Sequence, residues 1–240
     1  MANYQVRLKD RREIASGTLA FYLTKPHAFS YQAGQFADLT LINPPQTDAE
    51  GDTRTFTLAS APYEDDLLVA TRMRDTAFKR TLQTMALGSV VTLSEPEGLF
   101  TLHSDASVPA VFLAGGIGVT PVRSIVLQAA HDKLPHRIAL FYANRRPEDA
   151  AFLDELTEVQ ARHPQFNFVA TMTGMAESRR NWSGETGYIT QAMLRKSVRD
   201  LNLPMFYLVG PPPMVSAMRQ VLGDAGVRSD RIRTEAFAGY

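Results

Sequence analysis

The sequence predicts two domains in tandem, a six-stranded antiparallel β-barrel followed by an α/β domain built on a parallel sheet. Three observations carry this expectation. The chain has 240 residues, too many for one small core and enough for two domains of roughly 100 to 150 residues. Its first hundred residues are short β-rich runs broken by Gly, Pro and polar clusters, the pattern of an antiparallel sheet or barrel. From Val108 onward apolar runs alternate with helical patterns, which predicts parallel strands with helices on both faces. The boundary falls near His103–Ser107, giving domains over 1–104 and 105–240.

In the first domain the expected strands are Tyr4–Asp10, Ala15–Leu23, Gln35–Ile42, Arg54–Ser60, Leu67–Arg74 and Ser89–Glu95. Six strands suffice to close a small barrel. One helix over Thr76–Ala86 interrupts them, with Ala77, Leu82 and Met85 spaced to put one face inward. Asn43–Asp52 is loop chemistry throughout and reads as an exposed excursion between two strands. In the second domain strands are expected at Ala110–Ala114, Arg137–Ala143, Phe166–Met172 and Met205–Val209, with helices starting at Thr120 and Pro147 and a third over Met214–Leu222. The polar stretch 173–187, with its single Trp182, reads as a long loop at the strand ends, where α/β folds bind ligands.

Composition narrows the function. Lys plus Arg number 25 and Asp plus Glu number 25, so no net charge favours nucleic acid or an anionic membrane, and neither is expected as a partner. There is no cysteine, which excludes disulfides, thiolate-bound zinc, a cysteine nucleophile and a cysteine-ligated iron–sulfur cluster within these residues. His27, His103, His131, His136 and His163 form no metal-like cluster, so no metal is expected. Met1–Arg7 lack the apolar core of a secretory signal, and no stretch approaches the ~18 apolar residues of a membrane span. A soluble, cytoplasmic protein is expected.

Leu113–Pro121 places Gly115, Gly116 and Gly118 between an apolar strand and a helix start, with Thr120 and Pro121 in the first helical turn. Glycines let a backbone approach a pyrophosphate, and helix-terminal N–H groups favour its charge. A tight turn that needs glycine for steric reasons alone is the other reading. Arg145 and Arg146 follow the second expected strand of this domain, where basic residues favour a 2′-phosphate and hence NADPH. They read equally as partners of Glu148 and Asp149.

Arg54–Thr55–Phe56–Thr57 sets a guanidinium, an aromatic ring and hydroxyls on one strand, chemically apt for a phosphate, a flavin ring and a ring nitrogen. Period two puts Arg54 and Phe56 on one face and Thr55 and Thr57 on the other unless the strand bends. Taken with Tyr31–Phe36, Gly115–Pro121, Gly210–Met214 and Thr234–Phe237, in that order along nearly the whole chain, the pattern resembles the ferredoxin–NADP(+) reductase family. In that family a six-stranded antiparallel barrel binds FAD, less often FMN, and a following α/β domain binds NADPH or NADH.

The resemblance implies that Arg54 binds flavin phosphate, Phe56 lies along the flavin and Thr57 hydrogen-bonds near its N5. Thr71, Arg72 and the helix start at Thr76, Phe78 and Lys79 match the segment that receives the pyrophosphate, while Gly116, Gly118 and Thr120 meet the dinucleotide and Gly210, Pro211 and Met214 border the nicotinamide. Two departures stand out. Phe56 replaces a frequent Tyr, and Val209 stands where many members have Cys. Glu235 either relays a proton or fixes the C-terminal segment, and Phe237 and Tyr240 either cover the flavin or pack between domains. The implied activity is hydride transfer from NADPH or NADH to FAD and electron delivery to a separate soluble acceptor, a ferredoxin, flavodoxin or oxygenase component, by a monomer. A free flavin or quinone reductase is the same-class alternative, and a non-catalytic flavin- or dinucleotide-binding subunit the alternative from another class.

Overall fold

The structure, a computed structural model, describes residues 3–237. Twelve strands fall into two six-stranded sheets. The first contains β1 (Tyr4–Ala15), β2 (Thr18–Thr24), β3 (Phe36–Leu41), β4 (Thr53–Thr57), β5 (Asp66–Arg72) and β6 (Val90–Leu93), in the order β4-β3-β6-β1-β2-β5 with every pairing antiparallel. Strand β1 serves both halves: Tyr4–Arg7 pair with β6, and the stretch from Leu8 to Ala15 pairs with β2 after a register shift around Lys9. Such a bulge bends a strand and lets the sheet curl. The outer strands β4 and β5 meet just past β4, where the Ala59 N–H donates to the Leu68 carbonyl at 2.7 Å and the Leu68 N–H to the Ser60 hydroxyl at 3.0 Å. The barrel encloses a core that includes Phe21, Leu39, Leu58, Val69, Phe78 and Leu93.

One local expectation fails here for a physical reason. Strand β1 continues to Ala15 rather than stopping at Asp10, because the charged run Lys9–Glu13 lies on a hairpin with little apolar alternation to reveal it. Within that run Arg11 is useful to the fold: its Nη2 donates to the Met85 carbonyl at 2.8 Å, at the end of helix α1 (Ala77–Thr84). The segment Asn43–Asp52 is a largely exposed excursion between β3 and β4, as expected, but it is anchored. It folds back, and the Asp48 carboxylate accepts the Ala77 N–H at 3.0 Å.

The second sheet is parallel throughout, in the order β10-β9-β8-β7-β11-β12: β7 (Ala110–Gly115), β8 (Ile138–Asn144), β9 (Phe166–Met172), β10 (Glu185–Thr186), β11 (Met205–Gly210) and β12 (Ile232–Ala236). Helices α2 (Val119–His131), α3 (Leu153–Arg162), α4 (Gln191–Ser197) and α5 (Pro212–Asp224) connect its strands. Two apolar clusters, one around Phe112, Leu140 and Tyr207 and one around Leu113, Phe141 and Leu208, use alternate residues of the same strands. Alternation of this kind puts successive side chains on opposite faces of the sheet. The helix expected from Pro147 is only a turn over Pro147–Asp149, and α3 starts at Leu153. Phe152 breaks the continuity with φ +59°, an uncommon value for an aromatic residue.

Phe152 belongs to the contact between the two domains. Its ring lies 5.0 Å beneath the guanidinium of Arg123 on α2. Arg123 is buried, and its Nη1 donates to the Ala59 carbonyl and to Glu64, both at 2.8 Å, while Nε and Nη2 donate to Glu155 at 2.7 and 2.6 Å. Beside it the Ser124 hydroxyl donates to the Ser60 carbonyl at 2.6 Å. Removing one partner of a buried pair leaves the other charge uncompensated. Arg123→Met is therefore expected to destabilise the protein by on the order of 3 kcal/mol in urea unfolding, and Glu64→Gln, at a position where 27% of the side chain is exposed, by less.

Candidate functional site

The two domains meet over a cavity of about 600 Å³. Strand β4 contributes Arg54, Thr55, Phe56 and Thr57, all four of which line it. Strict alternation would show only every second residue, but β4 is the outermost strand of its sheet and presents its free edge as well as a face. Ala70, Thr71 and Arg72 of β5 follow, then Arg74, Thr76 and Lys79 around the start of α1. From the α/β domain come Ile117, Thr120, Glu235, Ala236 and Phe237. Phe36 and Ile117 lie inside sequence motifs without having been singled out, and Glu50 and Arg74 carried no sequence signal, since they reach the cavity only through tertiary packing.

The barrel wall is strongly cationic. Arg54, Arg72, Arg74 and Lys79 share the cavity with one carboxylate on that side, Glu50. Arg54 is fixed: Nη2 lies 3.0 Å from Glu50 and 3.1 Å from Asp48, and Nη1 donates to the carbonyls of Glu50, Gly51 and Thr53. Lys79 donates to the Arg72 carbonyl at 2.7 Å. Burial first, then the charges of Arg74 and Arg54, pull the Lys79 pKa below its ordinary value. Positive charge in excess of its local counter-charge suits a phosphate or pyrophosphate. The helix start is a less open anion site than the sequence suggested, because Asp48 holds the Ala77 N–H and the Thr76 hydroxyl accepts from the Lys79 N–H. Phe78 does not line the cavity. It is buried in the barrel core, 5.9 Å from the Phe56 ring and 5.1 Å from the Arg54 guanidinium, and supports both from behind.

The glycine turn has a steric role at two of its positions. The sheet reverses its winding between β7 and β11, and the two strands end side by side. A Cβ on Gly118 would stand 2.7 Å from the Gly210 Cα, and one on Gly115 would strike the Met214 sulfur at 2.1 Å, with Pro211 at 3.3 Å. Gly115, Gly118, Gly210, Pro211 and Met214 thus pack on one another and do not themselves line the cavity. Gly116 differs: at φ +52° nothing lies within 4 Å of its Cβ position. Thr120 lines the cavity, with its hydroxyl donating to the Ile117 carbonyl at 3.0 Å. Gly118→Ala should cost about 2 kcal/mol in urea unfolding through overpacking, whereas Gly116→Ala should cost only the left-handed backbone, about 1 kcal/mol.

Glu235 reaches the cavity because β12 runs parallel beside β11, with Glu235 opposite Val209. The sequence marked the residue but not the strand, whose Arg, Thr and Glu side chains hide its pattern. Its Oε2 is buried with no hydrogen-bond partner among the described residues. Burial raises its pKa to about 7, so near neutral pH it holds a proton that an exposed carboxyl would have lost. Phe237 follows, donating its N–H to the Gly210 carbonyl at 3.1 Å, and Tyr240 lies outside the described residues. With its folded-state pKa above the unfolded value, Glu235 favours the fold when protonated, and its penalty grows as pH rises from about 4.5 through about 7. Glu235→Gln should therefore melt like the parent at low pH and above it at alkaline pH, a difference that thermal scans on either side of neutrality would read.

Arg145 and Arg146 stand apart from this cavity, beyond the end of β8. Arg146 makes a two-pronged contact with Asp149, both bonds 2.8 Å, and is not a free cation for a ligand. Arg145 faces Glu177 at 3.1 Å.

Residues 112–220 match the model of the oxidoreductase NAD-binding domain. The chain is 29% identical over 224 residues to the glycine betaine monooxygenase reductase subunit of Chromohalobacter salexigens, covering 92% of this chain and 60% of that one. It therefore spans about three fifths of that relative's length. It is 28% identical over 229 residues to ferredoxin–NADP reductase B of Sorangium cellulosum, covering 91% of this chain and 90% of the relative. In fold it matches a ferredoxin–NADP(+) reductase from Neisseria gonorrhoeae solved with bound FAD and NADP, with a TM-score of 0.79 at 21% identity over 98% of each chain. A six-stranded antiparallel sheet, a parallel α/β domain and a cationic cavity between them agree with these likenesses, and in sequence and fold the chain is similar to two-domain reductases of the ferredoxin–NADP(+) reductase type.

Proposed function

We propose that this protein is an FAD-dependent NAD(P)H oxidoreductase that takes a hydride from NADPH or NADH onto bound FAD and passes electrons to a separate soluble acceptor, a ferredoxin, flavodoxin or oxygenase component. The observation that carries the proposal is the composition of the interdomain cavity. Cations, an aromatic ring and a hydroxyl line its barrel side, and the first turn of α2 with the end of β12 lines the other.

A bound flavin supplies the conversion between hydride and single-electron chemistry. The residues divide the remaining work. Arg54, Arg72 and Lys79 hold phosphate charge, Phe56 packs along the ring system, and the Thr57 hydroxyl meets the ring edge. Thr71 and Thr76 flank the pyrophosphate path. On the other side the Gly116 turn admits the dinucleotide backbone and Thr120 closes the approach. Phe237 excludes water, and Glu235 holds a proton at the cavity wall. The relatives' names support an oxygenase component or a ferredoxin as acceptor. With no cysteine in these residues, any cysteine-ligated cluster that receives the electrons belongs to another chain or domain. Among the described residues no helix is long and apolar enough to cross a membrane, and we read the protein as a cytoplasmic monomer.

Anaerobic mixing with NADH or NADPH should bleach the oxidised-flavin absorbance of the purified protein. Arg54→Met should purify with markedly less flavin, by on the order of tenfold in affinity for the loss of a charge-assisted contact. A flavin that neither dinucleotide bleaches would end the oxidoreductase reading, and cytochrome c reduction with and without ferredoxin distinguishes protein acceptors from free flavin or quinone.

A further inference from the structure

In a parallel α/β sheet the adenosine ribose of a dinucleotide lies beyond the C-terminal end of the second strand, where a carboxylate suits its hydroxyls and a free cation suits a 2′-phosphate. Here that strand is β8, which ends at Asn144 and runs into Arg145 and Arg146. Both cations are already matched. Arg146 is held bidentately by Asp149, whose side chain is only 10% exposed. Arg145 faces Glu177, 3.1 Å away, on the turn Met175–Glu177.

An exposed ion pair is weak by itself. What gives this one consequence is that the backbone carrying Glu177 is fastened on both sides to the segment carrying Arg145. Before it, the Thr173 N–H donates to the Asn144 carbonyl at 2.9 Å and the Gly174 N–H to the Arg145 carbonyl at 2.7 Å. After it, the Glu148 carboxylate accepts the Ser178 hydroxyl at 2.9 Å and the N–H groups of Arg179 and Arg180 at 2.6 and 3.2 Å. A ligand that took Arg145 from Glu177 would still leave the carboxylate charge beside it.

On the reading that this domain binds a nicotinamide dinucleotide, we infer that Glu177 is a specificity-determining residue that cancels Arg145 and so leaves a 2′-phosphate without a counter-charge, so that the protein prefers NADH to NADPH. With Arg145 already paired, a nearly doubly charged phosphate placed there gives up hydration without gaining net counter-charge, an imbalance that amounts to about tenfold in affinity.

The single tryptophan, Trp182, lies on the same loop, its indole N–H donating to the Glu185 carbonyl at 2.8 Å. Its fluorescence provides a binding readout independent of turnover. Titrating the flavin-loaded protein with 5′-AMP and with 2′,5′-ADP, backed by calorimetry, should show AMP bound about tenfold more tightly. Glu177→Gln should erase or reverse that ratio, and Glu177→Asp, which keeps the charge, should retain most of it. The ratio of flavin bleaching rates with NADH and NADPH should move in parallel. Parent protein that binds 2′,5′-ADP as tightly as AMP overturns the inference, as does a Glu177→Gln ratio equal to the parent's, while the dinucleotide reading stands in both cases. Binding of neither nucleotide would instead remove the dinucleotide reading and the inference together.

Discussion

One buried guanidinium holds the architecture on which the site depends. Arg123 leaves the middle of α2, crosses to the barrel, and spends its donors on the Ala59 carbonyl and on the carboxylates of Glu64 and Glu155. Ala59 lies two residues past the end of β4, the strand that lines the cavity. The same side chain therefore ties the α/β domain to the flank of the wall it faces. Ser124 at the next position repeats the tie through the Ser60 carbonyl. A buried ion network of this kind contributes little net stability, because desolvation offsets most of its attraction, but it penalises every arrangement that leaves a charge unpaired. It selects one domain orientation, and the cavity exists only in that orientation. Phe152 fits the same account, since its left-handed backbone places its ring under the guanidinium at the cost of breaking a helix start.

Within the cavity two kinds of surface are opposed. The barrel supplies clustered positive charge on short, fixed elements, with Arg54 locked by three backbone carbonyls and two carboxylates. The α/β domain supplies little charge apart from Glu235, whose burial keeps it close to neutral. On the proposed reading that asymmetry orients an elongated anionic ligand, with phosphates along the barrel and the region between Thr57, Thr120 and Glu235 left for chemistry that must exclude water. The close packing of Gly115, Gly118 and Gly210 is the second condition, because it lets the two strand ends at the reversal of the sheet come together and fixes where α2 begins.

Much of this was legible in the residues. Turn chemistry and short β-rich runs located the barrel, and strand–helix alternation from Val108 located the parallel sheet, because both follow from the local period of burial. Arg54 to Thr57, Thr120 and Glu235 were marked, and the structure gathers them into one cavity. Other elements were invisible for definite reasons. Strand β12 carries Arg, Thr and Glu, so nothing in its pattern announces pairing with β11. Asp48 sits in a stretch that reads as plain loop, and only the folded chain brings its carboxylate to the Ala77 N–H. Glu177 lies far from Arg145 in sequence, and their contact depends on how the loop after β9 folds back.

The two-domain order, the strand–glycine–helix turn and the identity of the groups available for chemistry are readable from the residues alone, because they depend on local propensity and on composition. Tertiary structure decided what each group does. Gly115 and Gly118 serve contact with the neighbouring strand, Phe78 serves the core, and Arg146 is committed to Asp149, whereas Glu235 is half-buried at the cavity wall with its Oε2 unpaired among the described residues. The physical reason is that charge compensation and desolvation are set by neighbours distant along the chain. A residue's type fixes what it can donate or accept, and only packing fixes whether that capacity is already used.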